Sequence, residues 1–396
     1  MKIGLYCNWN VKVVSGGFYL ASINAKYLKQ FKKHSQKVVL LSNVSKAEIL
    51  DSDIFISFRD VELIRIPPFS CYYKAFREFF TIKKGIQELC SKVTHVYART
   101  PEPFSWLFGL YKKHTIINYH FTSNPIEIIC NEFKSNKIKS FLKLVIFYPE
   151  YLAICLAAKC NLATTNGSSI IPDLPFFLRS HVIPLIESSL TIDEINHLNK
   201  DKDKDKDKDK DKDKDIKFLC VSRLQEGKGI ELLIESFASV LAINKNITLS
   251  IVGNGPLFEK LNNLIVANGL EEKIKLLGFI PNGYELNKVY QHHDFFVNPS
   301  LSETGPRVII EAMMNNLYCI STDVGYVSKV LTTSDGVLFG SIIKEKNKSS
   351  LIRELNHCIR NKDNLIALAN RYGKEATKYT LDAFILDEIR ILKGYK

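Results

Sequence analysis

The sequence predicts an α/β protein built from two doubly wound parallel-sheet domains. Three observations carry this. From residue 1 to about 190, strand-like apolar runs (Val38–Ser42, Ile54–Ser57, Leu63–Ile66, Val93–Tyr97, Thr115–Tyr119, Leu162–Thr165) alternate with helix-length segments. That alternation implies parallel strands joined by helical crossovers. The same pattern restarts at 216 and runs to about 377. Between the two lies a simple Lys-Asp repeat with no apolar face in either period, so it cannot pack a core and reads as a solvated linker, residues 191–215. The expected organisation is therefore an N-terminal domain over 1–190, a linker, a second domain over 216–377, and a final segment 378–396. Within that segment Leu381, Phe384, Ile385, Ile389 and Leu392 form an apolar helical stripe.

At 396 residues each domain is long enough to bury its own core. A hydrophobic content of 46% and a charged content of 24% are ordinary for a soluble globular protein. The nine cysteines are scattered, odd in number and without a Cys-x-x-Cys pair, which argues for reduced thiols and against a zinc site or disulfide framework. The stretch from Met1 enters a short strand and turns polar by Asn8, unlike a signal peptide, so a cytoplasmic location is expected. The formal charge is +12, and the repeat from Lys200 to Asp215 nets zero with eight of each sign, so the whole excess lies on the globular parts. No nucleic-acid-binding motif is present. An anionic membrane surface, or an anionic or lipid-linked acceptor, would be attracted by such a charge.

Two segments raise a membrane question. Phe141 to Cys160 is apolar and aromatic but is interrupted by Lys143, Pro149, Glu150 and Lys159, so it reads as a buried core helix and not as a span. In Cys71 to Leu89, Tyr72, Tyr73, Phe76, Phe79 and Phe80 interleave with Lys74, Arg77, Lys83 and Lys84. Such a helix either turns its aromatics to the core or lies at a bilayer interface.

The second half carries the chemistry. The strand Phe218–Val221 runs into a loop holding Arg223 and Lys228, followed by a helix from Ile230 to Val240. A planar guanidinium fork and a point charge together suit a diphosphate. Leu249–Val252 ends in Gly253-Asn-Gly255-Pro256, a turn where backbone can approach a ligand closely. Lys275 to Ile280, which includes Phe279, gives another strand and turn. The buried run Phe295–Val297 then leads through a polar loop with Glu303, Thr304 and Gly305 into a helix that Pro306 can open. Glu311 follows a turn and a half later. Open α/β sheets bind ligands at the carboxyl ends of their strands, a helix start suits phosphate, and two carboxylates suit sugar hydroxyls. His292-His293-Asp294 could suggest a metal, but neighbouring positions on a helix end face different ways.

In order and spacing these pieces resemble glycosyltransferase family 4, retaining enzymes of the GT-B fold. The resemblance rests on Val221-Ser-Arg-Leu with Lys228-Gly229, Ile251-Val-Gly-Asn-Gly-Pro256, Leu277-Gly-Phe279, Asn298-Pro-Ser, the Glu303/Glu311 pair and Thr322-Asp-Val-Gly325. It is looser upstream, where Lys2–Cys7 followed by Ser15-Gly16-Gly17 opening a helix, His95–Pro101, Ile117–His120 and Val182–Pro184 fall where the family has similar pieces. The resemblance implies two Rossmann-like domains facing across a cleft, with the final helix crossing back to the first domain. It implies a nucleotide-sugar donor, a glycan or lipid-linked acceptor, retention of configuration and no metal. It further implies that Glu311 meets the ribose, Glu303 and His120 meet the transferred sugar, and backbone N–H groups near Gly305 and Gly17 hold phosphate or sugar oxygens. Two departures stand out. Thr304-Gly305-Pro306 replaces the family's Gly-Phe-Pro, and Tyr326 and Lys329 stand where a glycine and a glutamate are usual. The expected activity is sugar transfer in surface-glycan synthesis at the cytoplasmic face of a membrane. A nucleotide-sugar epimerase and an inactive partner-binding subunit remain alternatives.

Overall fold

The computed structural model describes residues 1–69, 72–132, 137–194, 215–301, 303, 305, 307–333, 335–344 and 347–394. Contacts divide the chain into two units, Met1–Leu185 with Asp382–Lys396, and Ile186–Leu381. Ile186 to Leu190 thus group with the second unit, and Asp382 onward groups with the first. Except for Asp215, which pairs with Lys273 at 2.8 Å, the Lys-Asp repeat lies outside the described residues.

The first unit is a seven-stranded sheet of β1 (Lys2–Tyr6), β4 (Lys37–Asn43), β6 (Glu62–Ile66), β7 (His95–Thr100), β8 (Ile116–Phe121), β9 (Leu162–Asn166) and β10 (Ile183–Leu185). Their order is β10-β9-β8-β7-β1-β4-β6, and every neighbouring pair is parallel. Interior β1 aligns Leu5 with Leu40 on one side and Tyr97 on the other. Both sheet faces are covered, so the strands read as continuous apolar runs. The helix Phe79–Lys92 lies against β1 and β4 at two glycines. A Cβ on Gly4 would sit 2.8 Å from Leu89, and one on Gly85 would sit 2.8 Å from Leu41, so both positions are bare to let backbone and helix approach.

Two expectations are corrected here. Ser15-Gly16-Gly17 does not open a helix. It forms the turn between β2 (Lys12–Val14) and β3 (Gly17–Ala21), which with β5 (Asp53–Ser57) make a separate antiparallel sheet. Gly16 takes the positive φ of the turn, +79°, and the β-branched and aromatic flanks favour strand. The helix begins later, at Ser22.

Phe141 to Cys160 is the second correction. It lies in the helix Lys137–Lys159, but only a third of the window Phe141–Lys159 is buried. Phe147, Tyr151, Ile154, Cys155 and Ala158 enter the core, whereas Ile138, Phe141, Leu142, Val145 and Ile146 are exposed. The segment is apolar on two faces, and the sheet can take only one.

The second unit is a six-stranded parallel sheet of β11 (Ile216–Val221), β12 (Ile247–Val252), β13 (Ile274–Gly278), β14 (Phe295–Asn298), β15 (Tyr318–Thr322) and β16 (Ser341–Ile343). Its order is β13-β12-β11-β14-β15-β16. Strand order therefore reverses between β11 and β14, which puts a topological switch point at their carboxyl ends. Phe218, Phe237 and Phe295 pack under this point, with Phe218 stacked on Phe295 at 5.1 Å.

Candidate functional site

The loops leaving β11, β12 and β14 meet at the switch point, and glycines let them do so. Gly229, at φ +68°, ends the β11 loop so close to Pro299 that a Cβ would lie 2.1 Å from its carbonyl oxygen. Gly253, at φ +144°, brings the β12 loop under Ser222, where a Cβ would come within 1.8 Å of the carbonyl oxygen. Leu301 N–H donates to Gly227 O at 2.8 Å, and Leu224 N–H to Asn254 O at 3.0 Å, so the three loops are laced by backbone bonds.

Lys228 and Glu303 are brought together here. The Lys228 ammonium is buried and donates to Glu303 Oε1 at 2.5 Å. Arg223 is exposed at the end of β11 on the same loop. Phe279 is exposed just past β13. Gly255 lies against Leu224 O, and Gly305 receives the Arg307 N–H on its carbonyl at 2.8 Å. Thr304 and Pro306 lie outside the described residues. A cavity of about 330 Å³ opens beside the β11 loop, lined by Gln225, Gly227, Ile230, Leu257, Lys260 and Leu301. Neither Lys228 nor Glu303 is in its wall, so the charges and the cavity do not coincide.

Glu311 is held by three neighbours within its own unit. It is buried on the helix Arg307–Met314 with both carboxylate oxygens occupied. Asn282 Nδ2 and the Ser189 hydroxyl donate to Oε1, the former at 2.9 Å, and the Tyr290 hydroxyl donates to Oε2 at 3.0 Å. Burial and the adjacent carboxylate raise the Tyr290 hydroxyl well above its usual range, so it stays protonated and donates. One helical turn earlier, Arg307 meets Glu187 at 2.5 Å. Glu187, Ser189, Asn282 and Tyr290 were missed by sequence reasoning. Only their polarity inside otherwise apolar segments could have flagged them.

Tyr326, one of the departures, is buried, and its hydroxyl donates to Glu187 O at 3.2 Å, while Lys329 is exposed. His292 and His293 bond back to the carbonyls of Lys288 and Val289 at 2.7 and 2.6 Å, an arrangement that turns their Nδ1 atoms onto their own helix.

Of the residues expected in the first unit, Gly16 and Gly17 form the hairpin described above. His120 stands on β8. It is wholly buried, with Nδ1 2.9 Å from both Glu388 Oε1 and Thr164 Oγ1, and its ring stacks on Tyr97 at 5.4 Å. Asn118 Nδ2 reaches Glu388 Oε2 at 2.6 Å, and Thr164 Oγ1 reaches Oε1 at 2.9 Å. This buried network ties the helix Leu381–Leu392 to the sheet through His120 Nδ1, while His120 Nε2 has no partner among the described residues.

The carboxyl ends of β1 and β7 instead present Glu102. Its Oε1 accepts the Asn8 N–H at 3.0 Å, and its Oε2 accepts from Asn8 Nδ2. Burial pushes its carboxyl up to about 7, against the opposing pull of the Asn8 bonds and Arg99. Glu150, whose Oε1 accepts from Phe104 N at 2.5 Å and Tyr72 OH at 2.9 Å, is likewise raised by burial.

Residues 201–379 match a family described as glycosyl transferases group 1. That region belongs to this family. An uncharacterized glycosyltransferase from Methanocaldococcus jannaschii is 29% identical over 221 residues, 55% of this chain and 45% of its own length. The N-acetylgalactosamine-N,N'-diacetylbacillosaminyl-diphospho-undecaprenol 4-alpha-N-acetylgalactosaminyltransferase of Campylobacter jejuni is 29% identical over 176 residues, 44% of this chain and 46% of its own. The chain thus spans less than half the length of these curated relatives. Among solved structures, WaaG, a glycosyltransferase involved in lipopolysaccharide biosynthesis, superposes with a TM-score of 0.65 at 15% identity, covering 99% of this chain and all of that one. Anabaena HepE in complex with UDP and glucose gives 0.64 at 15%, covering both chains completely. At that identity the likeness is one of fold. The fold class is α/β, GT-B, with two Rossmann-like units.

Proposed function

We propose that the protein is a glycosyltransferase that moves a sugar from a nucleotide-sugar donor to a glycan or lipid-linked acceptor. The observation that carries this reading is the buried Lys228 beside Glu303 at the switch point of the family-matched sheet, with exposed Arg223 on the same loop. Cleaving a sugar–diphosphate bond builds negative charge on the leaving group, and fixed cations are worth most where that charge grows. Lys228 and Arg223 supply it, and Glu303 offers an acceptor to a sugar hydroxyl. Backbone N–H groups near Gly305 would line the phosphates, and no divalent ion takes part, so chelation leaves turnover unchanged. Retention of configuration follows the family reading. Relatives acting on an undecaprenol-linked sugar and in lipopolysaccharide synthesis favour a surface-glycan or capsule pathway, at the cytoplasmic face of the membrane. The formal charge of +12 accords with an anionic acceptor or surface.

A thermal-shift screen against nucleotide sugars and bare nucleoside diphosphates tests the donor site. One nucleotide sugar should raise the melting temperature above its own diphosphate. No shift from any of them would remove the donor reading. Turnover of the nucleotide sugar without an acceptor would favour an epimerase.

A further inference from the structure

The helix Lys137–Lys159 has two apolar stripes. Phe147, Tyr151, Ile154, Cys155 and Ala158 fill the first unit's core. Ile138, Phe141, Leu142, Val145 and Ile146, at the helical spacing i, i+3, i+4, i+7 and i+8, form a second stripe on the outside, with Phe141 65% exposed. A contiguous run of large apolar side chains on one face is unlike the scattered exposed apolar residues of an ordinary surface. The segment 72–80 docks on this helix through Tyr72, whose ring lies 5.0 Å from Phe147, and it exposes Phe76 and Phe80, the latter by 79%.

The charges nearby are mostly positive, with Glu78 the one acid of the segment 72–80. Residues 137–159 hold four lysines and a single acid, Glu150, which is buried and accepts bonds from Tyr72 and Phe104. Lys159 is exposed on this helix, and Lys74, Arg77 and Lys84 are exposed on the neighbouring segments. An apolar stripe with basic neighbours and no exposed acid on its helix fits the acyl–headgroup boundary of an anionic bilayer. A second copy would set these cations against one another. A transmembrane path is excluded because the opposite stripe is committed to the core, so the helix lies flat.

We propose that the Ile138–Ile146 stripe is a membrane-docking face that inserts into the interface of an anionic lipid bilayer. Its occupant is the lipid surface itself, and docking needs neither donor nor acceptor, so this inference stands or falls apart from the transferase reading.

Co-sedimentation of the full chain with phosphatidylcholine vesicles, with and without phosphatidylglycerol, tests it. The protein should bind the anionic vesicles, and binding should weaken as salt screens the lysines. The double variant Phe141→Glu, Ile146→Glu should bind about tenfold or more weakly, with an unchanged thermal melt because both side chains are exposed. Ile243→Glu, at a still more exposed site on the second unit, should bind as the unaltered chain does. Failure of the unaltered chain to bind anionic vesicles overturns the proposal, as does undiminished binding by the double variant. A chain that ignores vesicles, is a dimer by light scattering and becomes monomeric in the double variant would assign the stripe to a second copy instead.

Discussion

Lys228 Nζ lies 2.5 Å from Glu303 Oε1, so a cation on the loop after β11 is held by a carboxylate on the loop after β14. The pair closes the switch point from both sides and leaves exposed Arg223 nearby on the Lys228 loop.

The two cations should separate on substitution. Arg223→Ala removes an exposed side chain with no ion pair among the described residues. Turnover of the nucleotide sugar should fall about 100-fold, the scale of a lost charge-assisted phosphate contact, while the thermal melt is unchanged. Lys228→Ala should lower turnover at least as far and also lower the melt, because it strips Glu303 of its partner. Steady-state kinetics with melting curves on both variants check this, and near-normal turnover in either removes that residue from the site.

His120→Ala should behave as a stability variant. It leaves an emptied ring site beside buried Glu388, a loss of about 3 kcal/mol on the scale of large-to-small core substitutions. Urea unfolding measures this. Turnover per folded molecule should hold within about threefold, since removing a wholly buried ring deletes no ligand contact. A hundredfold loss of turnover with unaltered stability would restore His120 to the catalytic machinery.

Gly253→Ala should destabilise the second unit by about 2 kcal/mol or more, combining a left-handed φ with a Cβ driven into Ser222 O. Gly269→Ala shares the positive φ but has open space around it, and should cost less. Comparative melts of the two variants isolate the clash.

Glu102 gives a pH dependence with a definite sign. Its folded carboxyl is raised from 4.5 to about 7, so between these values the folded chain keeps a proton that the unfolded chain releases. Stability from this group therefore falls as pH rises through that window. Glu102→Gln removes the ionisation, and its amide can still bond Asn8, whose Oδ1 has no partner among the described residues. The melting temperature of the variant should gain on the parent chain from pH 4.5 to 7 and level off above it. Parallel curves across that range would exclude a raised carboxyl.

The second unit was the more legible half, because its site is written locally. Gly229 and Gly253 stand where the backbone turns left-handed, and each strand feeds its own charged loop within a few residues. The first unit was harder for three reasons. The partner of Asn118 and His120 is Glu388, 270 residues from Asn118, and no local pattern encodes such a pairing. Ser15-Gly16-Gly17 suits a helix-opening loop and a hairpin equally, and β5 decides between them from forty residues away. The helix Lys137–Lys159 is apolar on two faces, and periodicity does not say which one the sheet claims. Glu311 was placed on the correct helix, but its burial by Ser189, Asn282 and Tyr290 depends on three separate segments.

The stitching of Asp382–Lys396 into the first unit has a consequence for biosynthesis. A chain leaving the ribosome exposes Asn118, His120 and Thr164 long before Glu388 exists to receive them. Its first sheet must wait, with a polar slot in its flank, while the whole second unit is made. Domains ordinarily finish in the order of their synthesis. Here the first to begin is the last to be sealed, so a ribosome stalled anywhere within the second unit strands an incomplete first one, an open target for chaperones and proteases.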